Sequence, residues 1–119
     1  MSTTEVRSGL IYEWGSGFSG WAGDMDANIA RIGRFSFHLS VKDRDLTAPP
    51  GTPANGDCYI VATGGTGAWS GHDNKVMVWL SASSTWAIGV PRIGWQAYIE
   101  DEQVLTVYKG SAWSAGIAI

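Results

Sequence analysis

Two short polar runs hold the side chains best suited to chemistry: Ser70-Gly71-His72-Asp73-Asn74 and Glu100-Asp101-Glu102. A histidine beside a carboxylate and an amide can trade protons or hold a ligand. The same residue types also make an ordinary turn, which is the preferred reading of His72, Asp73 and Asn74. Paired carboxylates hydrolyse glycosides only when held across a cleft. Three consecutive acids at a hairpin tip are expected to point different ways into water. Asp24 and Asp26 are explained by the start of a helix, where negative charge is stabilising.

Other chemistries fail on spacing. Neither His38 nor His72 has a Cys or His nearby at metal-ligand spacing, so no metal site is expected. Gly17-Phe18-Ser19-Gly20 resembles a nucleophile elbow in letters only, because no strand precedes it. Gly64-Gly65-Thr66-Gly67 lacks the Lys and the following helix of a phosphate loop. No catalytic set and no cofactor site is expected, and the chain reads as a non-enzyme.

What remains is aromatic. Seven tryptophans and sixteen glycines occur in 119 residues. Most Trp are buried in a core or an interface. One or two rings at loops could instead stack on a sugar. Trp69 and Trp113 are the candidates, with His72, Asp73 and Asn74 as polar neighbours. Trp69 is preferred because Gly67, Gly71 and the 72–74 run place it in a loop. Toward the N-terminus, Tyr12, Trp14, Phe18 and Trp21 alternate with glycines and need a cover, so residues 1–23 are expected to form an extended arm that docks on another subunit.

The elements that position these residues follow from periodicity. Asp24 is placed as an N-cap, and Met25, Ile29 and Ile32 form one apolar face of a short helix ended by Gly33. Phe35, Phe37, Leu39 and Val41 alternate with polar residues as a strand, with His38 on the solvated face. The Pro-rich stretch 47–57 is a stiff connection and the expected boundary; residues 24–57 thus link the arm to a body over 58–119. Strands are expected at 58–63, 75–80, 85–90, 95–100, 103–109 and 112–117. The fold class is mainly β: a short arm and helix, then a small antiparallel β-sandwich or barrel-like meander. Apolar residues fall on both faces of several strands, which suits a sandwich, a barrel or a symmetric oligomer.

Composition narrows the partners. Net charge is −3 with scattered basic residues, so no nucleic-acid grip is expected. No apolar run approaches the roughly 20 residues of a membrane span. The first residues lack the pattern of a secretory signal, and the single Cys58 reads as a small buried apolar group; both point to synthesis in a reducing cytoplasm.

An ordered series of short motifs adds to this. Leu46-Thr47-Ala48-Pro49-Pro50 leads to Gly56-Asp57-Cys58-Tyr59-Ile60-Val61. Then come Thr66-Gly67-Ala68-Trp69-Ser70-Gly71, Val78-Trp79, Pro91-Arg92-Ile93-Gly94-Trp95 and Tyr108-Lys109-Gly110-Ser111-Ala112-Trp113. Over about 25–115 the series resembles the signature of an uncharacterised domain family found in bacteriophage tail-fibre, spike and gene-transfer-agent proteins. The resemblance implies a virion component, made in the host cytoplasm and assembled as a trimer with other virion subunits. It implies a tail-fibre, spike, adaptor or decoration role and brings no catalytic residues. The alternative is a carbohydrate-binding module for a host cell-surface polysaccharide.

Overall fold

The computed structural model describes residues 3–4, 10–12, 21–35 and 39–119. The chain divides into two compact units, Met1–Phe37 and His38–Ile119. The division therefore falls before the Pro-rich stretch, which belongs to the second unit.

In the first unit, β1 (Thr3–Thr4) pairs antiparallel with β2 (Ile11–Tyr12). The helix α1 spans Trp21–Phe35. It is longer than the predicted 24–33 at both ends. Asp24 lies in its first turn rather than at its cap, and Gly33 is interior rather than terminal. Phe35 closes the helix instead of opening a strand, while Ser36, Phe37 and His38 lie outside the described residues. The buried Asn28 fixes the helix to β2. Its amide oxygen accepts from the Ile11 N–H at 2.7 Å, and its Nδ2 donates to the Ile11 carbonyl at 2.8 Å. One side chain thus supplies both partners that a neighbouring strand would give Ile11.

The second unit is mainly β, as the periodicity predicts. Its strands are β3 (Ser40–Val41), β4 (Cys58–Ile60), β5 (Val76–Leu80), β6 (Thr85–Gly89), β7 (Gln96–Ile99), β8 (Val104–Val107) and β9 (Ile117–Ala118). One sheet runs β4-β5-β6 and the other β3-β7-β8-β9. All pairs are antiparallel except β3 with β7. The chain beyond β3 meets β4 in parallel, with the Lys42 N–H donating to the Cys58 carbonyl at 2.8 Å and an Asp43–Tyr59 bridge. A parallel return cannot be made by a tight hairpin and needs a dozen or so residues. The Pro-rich connection provides that return.

Both faces of β5 are covered at its start: Val76, Met77 and Val78 are all buried. At the start of β5 the two-sided apolar pattern is thus satisfied within this unit. Its core gathers Tyr59, Val61, Trp69 and Met77, with Leu46 and Trp86 packed against them. Cys58 is buried as expected, and burial pushes its thiol up to about 12. Among the described residues no helix is long and apolar enough to cross a membrane.

Candidate functional site

Trp69 closes a 3₁₀ turn, Gly67–Trp69. That turn directs the ring inward, and its exposure is 0%. It packs against Tyr59 at 5.7 Å and edge-on to Trp86 at 5.3 Å between centroids, and Trp86 meets Trp79 at 5.0 Å. A ring with no accessible surface cannot stack on a sugar, so the expected platform at Trp69 is corrected to a core residue. Its Nε1 is buried and has no hydrogen-bond acceptor among the described residues.

The polar run that follows is held by its own loop. The Asp73 carboxylate accepts from the N–H groups of Gly64 at 3.0 Å and Gly65 at 2.9 Å. These backbone donors hold its pKa below the usual carboxylate value. Gly65 is required by close approach: a Cβ there would lie 2.5 Å from the Trp69 carbonyl oxygen. His72 Nδ1 lies 3.2 Å from Lys75 Nζ. Asn74 takes a left-handed backbone, φ 66°, and its N–H donates to the Val61 carbonyl at 2.8 Å. Asp73 therefore acts as a loop clamp, and the turn reading of this run holds in the geometry.

Trp113 is brought to the same loop. Its indole Nε1 donates to the Asn74 carbonyl at 2.8 Å, and Asn74 Nδ2 donates to the Ser111 carbonyl at 3.4 Å. The Trp113 ring leans on Tyr108, 5.3 Å between centroids and tilted by 59°. The Tyr108 hydroxyl donates to the Gly110 carbonyl at 3.1 Å, across the turn that joins the two rings. Both aromatics are half-buried. Two tilted rings beside an amide, a backbone turn and a loop can offer an apolar face with adjacent hydrogen-bonding groups. Tyr108 was missing from the sequence-derived set, although its place in the Tyr108-to-Trp113 motif was a usable signal.

The expected docking residues are distributed differently. Tyr12 lies in β2 and is 44% exposed. Trp21 is the first residue of α1 rather than part of an extended arm. Trp14 and Phe18 lie outside the described residues.

The acidic run 100–102 does not simply face water. Glu100 accepts from the Ser40 hydroxyl at 2.7 Å. Glu102 is held by Arg44 through two hydrogen bonds, at 2.9 and 2.8 Å. Asp101 joins Asp43 and Asp45, with carboxylate oxygens from all three within 4.8 Å of one another. Desolvation, then the charge of Asp43, raises the pKa of Asp101. These three are the described residues whose carboxylates come close enough to share a cation.

A comparison with protein families places residues 18–114 in the family described as protein of unknown function DUF2793. That match covers most of the chain, which belongs to this family. No curated protein matches it.

Proposed function

For this member of the DUF2793 family, we propose a structural, non-enzymatic role in the virion of a bacteriophage or phage-like particle. Its first unit attaches the chain to other subunits and its β-body is displayed. The observation that carries the reading is the division into two compact units, Met1–Phe37 and His38–Ile119. The second has its own closed aromatic core. The first presents large apolar side chains to solvent, Tyr12 at 44% and Ile29 at 61% exposure. Exposed apolar groups on a small unit suit attachment, and Ile93, Ile117 and Ile119 of the β-body, at 75%, 74% and 80% exposure, are further surface for a neighbouring subunit to cover. The motif series from Leu46 to Trp113 adds support through its resemblance to tail-fibre and spike domains. The non-enzymatic part is supported by the employment of Asp73, Glu100 and Glu102 in holding loops and strands. The test is mass spectrometry of density-banded phage or phage-like particles from the producing culture. The chain is expected among the particle proteins; its confinement to the soluble fraction would overturn the reading.

A second reading is favoured by the Tyr108–Trp113 pair. Its tilted rings and the Asn74 and Ser111 polar groups suit a host surface polysaccharide. An array of bacterial glycans tests it. Binding lost in Trp113→Ala, with folding intact by circular dichroism, supports the reading; an unchanged array or no binding by the parent chain removes it.

A further inference from the structure

The β4-β5-β6 sheet ends on β6 without a neighbour. β4 is met on its outer side by the segment after β3, where the Lys42 N–H donates to the Cys58 carbonyl at 2.8 Å, while β6 pairs with β5 alone. The register fixes where the backbone groups of β6 point. Trp79 is bonded on the β4 side: its N–H donates to the Asp57 carbonyl at 2.9 Å, and its carbonyl accepts from the Gly56 N–H at 2.8 Å. Successive residues of a ladder alternate, so Val78 turns to β6 and bonds Ala87, its register partner. Trp86 and Ile88 therefore direct their N–H and C=O groups away from the sheet, and Val90 follows at the same spacing. On that outer side these groups have no backbone partner among the described residues.

An open edge is ordinarily blunted by charge, proline or a bulge. β6 has none of these. No charged residue occurs between Lys75 and Arg92, and β6 pairs with β5 without a bulge from Thr85 to Gly89. Ile88 and Val90, on the same face as Trp86, are 39% and 50% exposed. A row of free donors and acceptors beside apolar side chains takes one kind of occupant, an extended strand. The residues of β6 select a second copy of themselves. An antiparallel copy centred on Ile88 sets outward groups against outward groups at every step. It places Ile88 against Ile88 and Val90 against Trp86, an aromatic with β-branched pair of the kind that stabilises neighbouring strands. β9, the edge of the other sheet, spans only Ile117–Ala118 and is too short to match β6. We propose that β6 is an interface between two copies of this chain, paired antiparallel about a two-fold axis at Ile88, so that their β4-β5-β6 sheets join into one. The contact is self-complementary and closes at two copies. A single strand pair lies at the small end of stable interfaces, so the dimer is concentration-dependent. The inference goes beyond the virion role and does not depend on it.

The test is sedimentation equilibrium of the full chain over a wide concentration range. The parent chain dimerises. Ile88→Lys, which puts a charge on the edge, weakens the dimer by about tenfold or more while the chain stays folded by circular dichroism. Cysteine variants check the register and decide also where the lysine variant does not fold. Under oxidation Ile88→Cys forms a disulfide-linked dimer, because residues paired across a ladder lie about 5.5 Å apart. Thr85→Cys does not, because the same register holds Thr85 of the two copies roughly 20 Å apart. The native thiol, Cys58, is buried and stays out of the reaction. A monomer at every concentration, a trimer or open-ended series, a folded Ile88→Lys chain that dimerises as the parent does, or cross-linking at 85 equal to that at 88 would overturn the proposal. Monomeric chains found in banded particles would remove this pairing and leave the virion role standing; a dimeric chain missing from particles would do the reverse.

Discussion

Arg44 and Glu102 meet as two parallel forks: Nε donates to Oε2 at 2.9 Å and Nη2 to Oε1 at 2.8 Å. The same guanidinium donates to the carbonyls of Ser114 and Ala115, both at 2.8 Å, and Nη1 approaches the Thr106 hydroxyl at 3.4 Å. An arginine has five N–H donors, and here five acceptors surround it. One side chain thereby ties the segment after β3 to the β7–β8 turn, to β8 and to the chain leading into β9. The hydrogen bonds that Arg44 donates to Glu102 are the main cause that raises the Arg44 pKa, and the same bonds lower that of Glu102.

Replacing Arg44 by lysine keeps the charge and removes the planar fork. Arg44→Lys is expected to lose about 2 kcal/mol, the worth of charge-assisted hydrogen bonds with their acceptors left partly unmet. Urea unfolding followed by fluorescence measures it. An unchanged midpoint would show that the staple contributes nothing to stability.

The carboxylates predict an acid response of two signs. Glu102 is lowered by its hydrogen bond from Arg44, and Asp73 by the Gly64 and Gly65 amides. Each stabilises the fold fully above the ordinary carboxylate pKa and loses that contribution as pH falls through its folded value. Asp101 is raised, first by desolvation and then by Asp43. Its contribution is present below its unfolded pKa and is lost as pH rises through the folded one. Asp101→Asn is therefore expected to raise the melting temperature at pH 7 and to leave it nearly unchanged at about pH 3.5, below the ordinary Asp value. Equal shifts at both pH values would refute the account of a carboxyl raised by desolvation and by Asp43.

Trp69 gives a core prediction. Trp69→Ala opens a large cavity beside Tyr59 and Trp86 and is expected to cost about 3–5 kcal/mol. Trp69→Phe removes an N–H that has no acceptor among the described residues, so only volume is lost and the cost is smaller. Chemical denaturation of the two variants decides; a Phe variant as unstable as the Ala variant would mean that the indole nitrogen is bonded after all.

Gly65 predicts the opposite fault, overpacking. In Gly65→Ala the new methyl would lie 2.5 Å from the Trp69 carbonyl oxygen and 2.9 Å from Val61 Cγ1. A cost of about 2 kcal/mol is expected. Gly51→Ala, where a Cβ meets nothing within 4 Å, is the matched control. Equal melting temperatures for the two variants would contradict the close approach.

The alternating runs around Met77, Tyr98 and Leu105 made β5, β7 and β8 legible, because each side chain reports its face directly. The polar hairpin at 100–103 and the turn after Tyr108 were legible from their residue types. Trp69 was not. Its glycine and serine neighbours mimic a surface loop, while the 3₁₀ turn that sends the ring inward leaves no periodic trace. Arg44 was also hidden, since its partner Glu102 lies 58 residues away and pairing at that range has no local signature. The helix start was misplaced because Asp24 looks like a cap, yet helical backbone begins at Trp21. Of the candidate site, Asn74 and Trp113 were found from their loop contexts and do meet; their meeting depends on tertiary folding that spacing does not encode.

The central claim is that the first unit carries the chain into a particle and the β-body does not. The most direct measurement compares a tagged full chain with tagged residues 38–119, each expressed during particle production and quantified in banded particles. The account predicts that the full chain is incorporated, while the β-body is absent from particles and remains folded in the lysate by limited proteolysis. Equal incorporation of the two would contradict it.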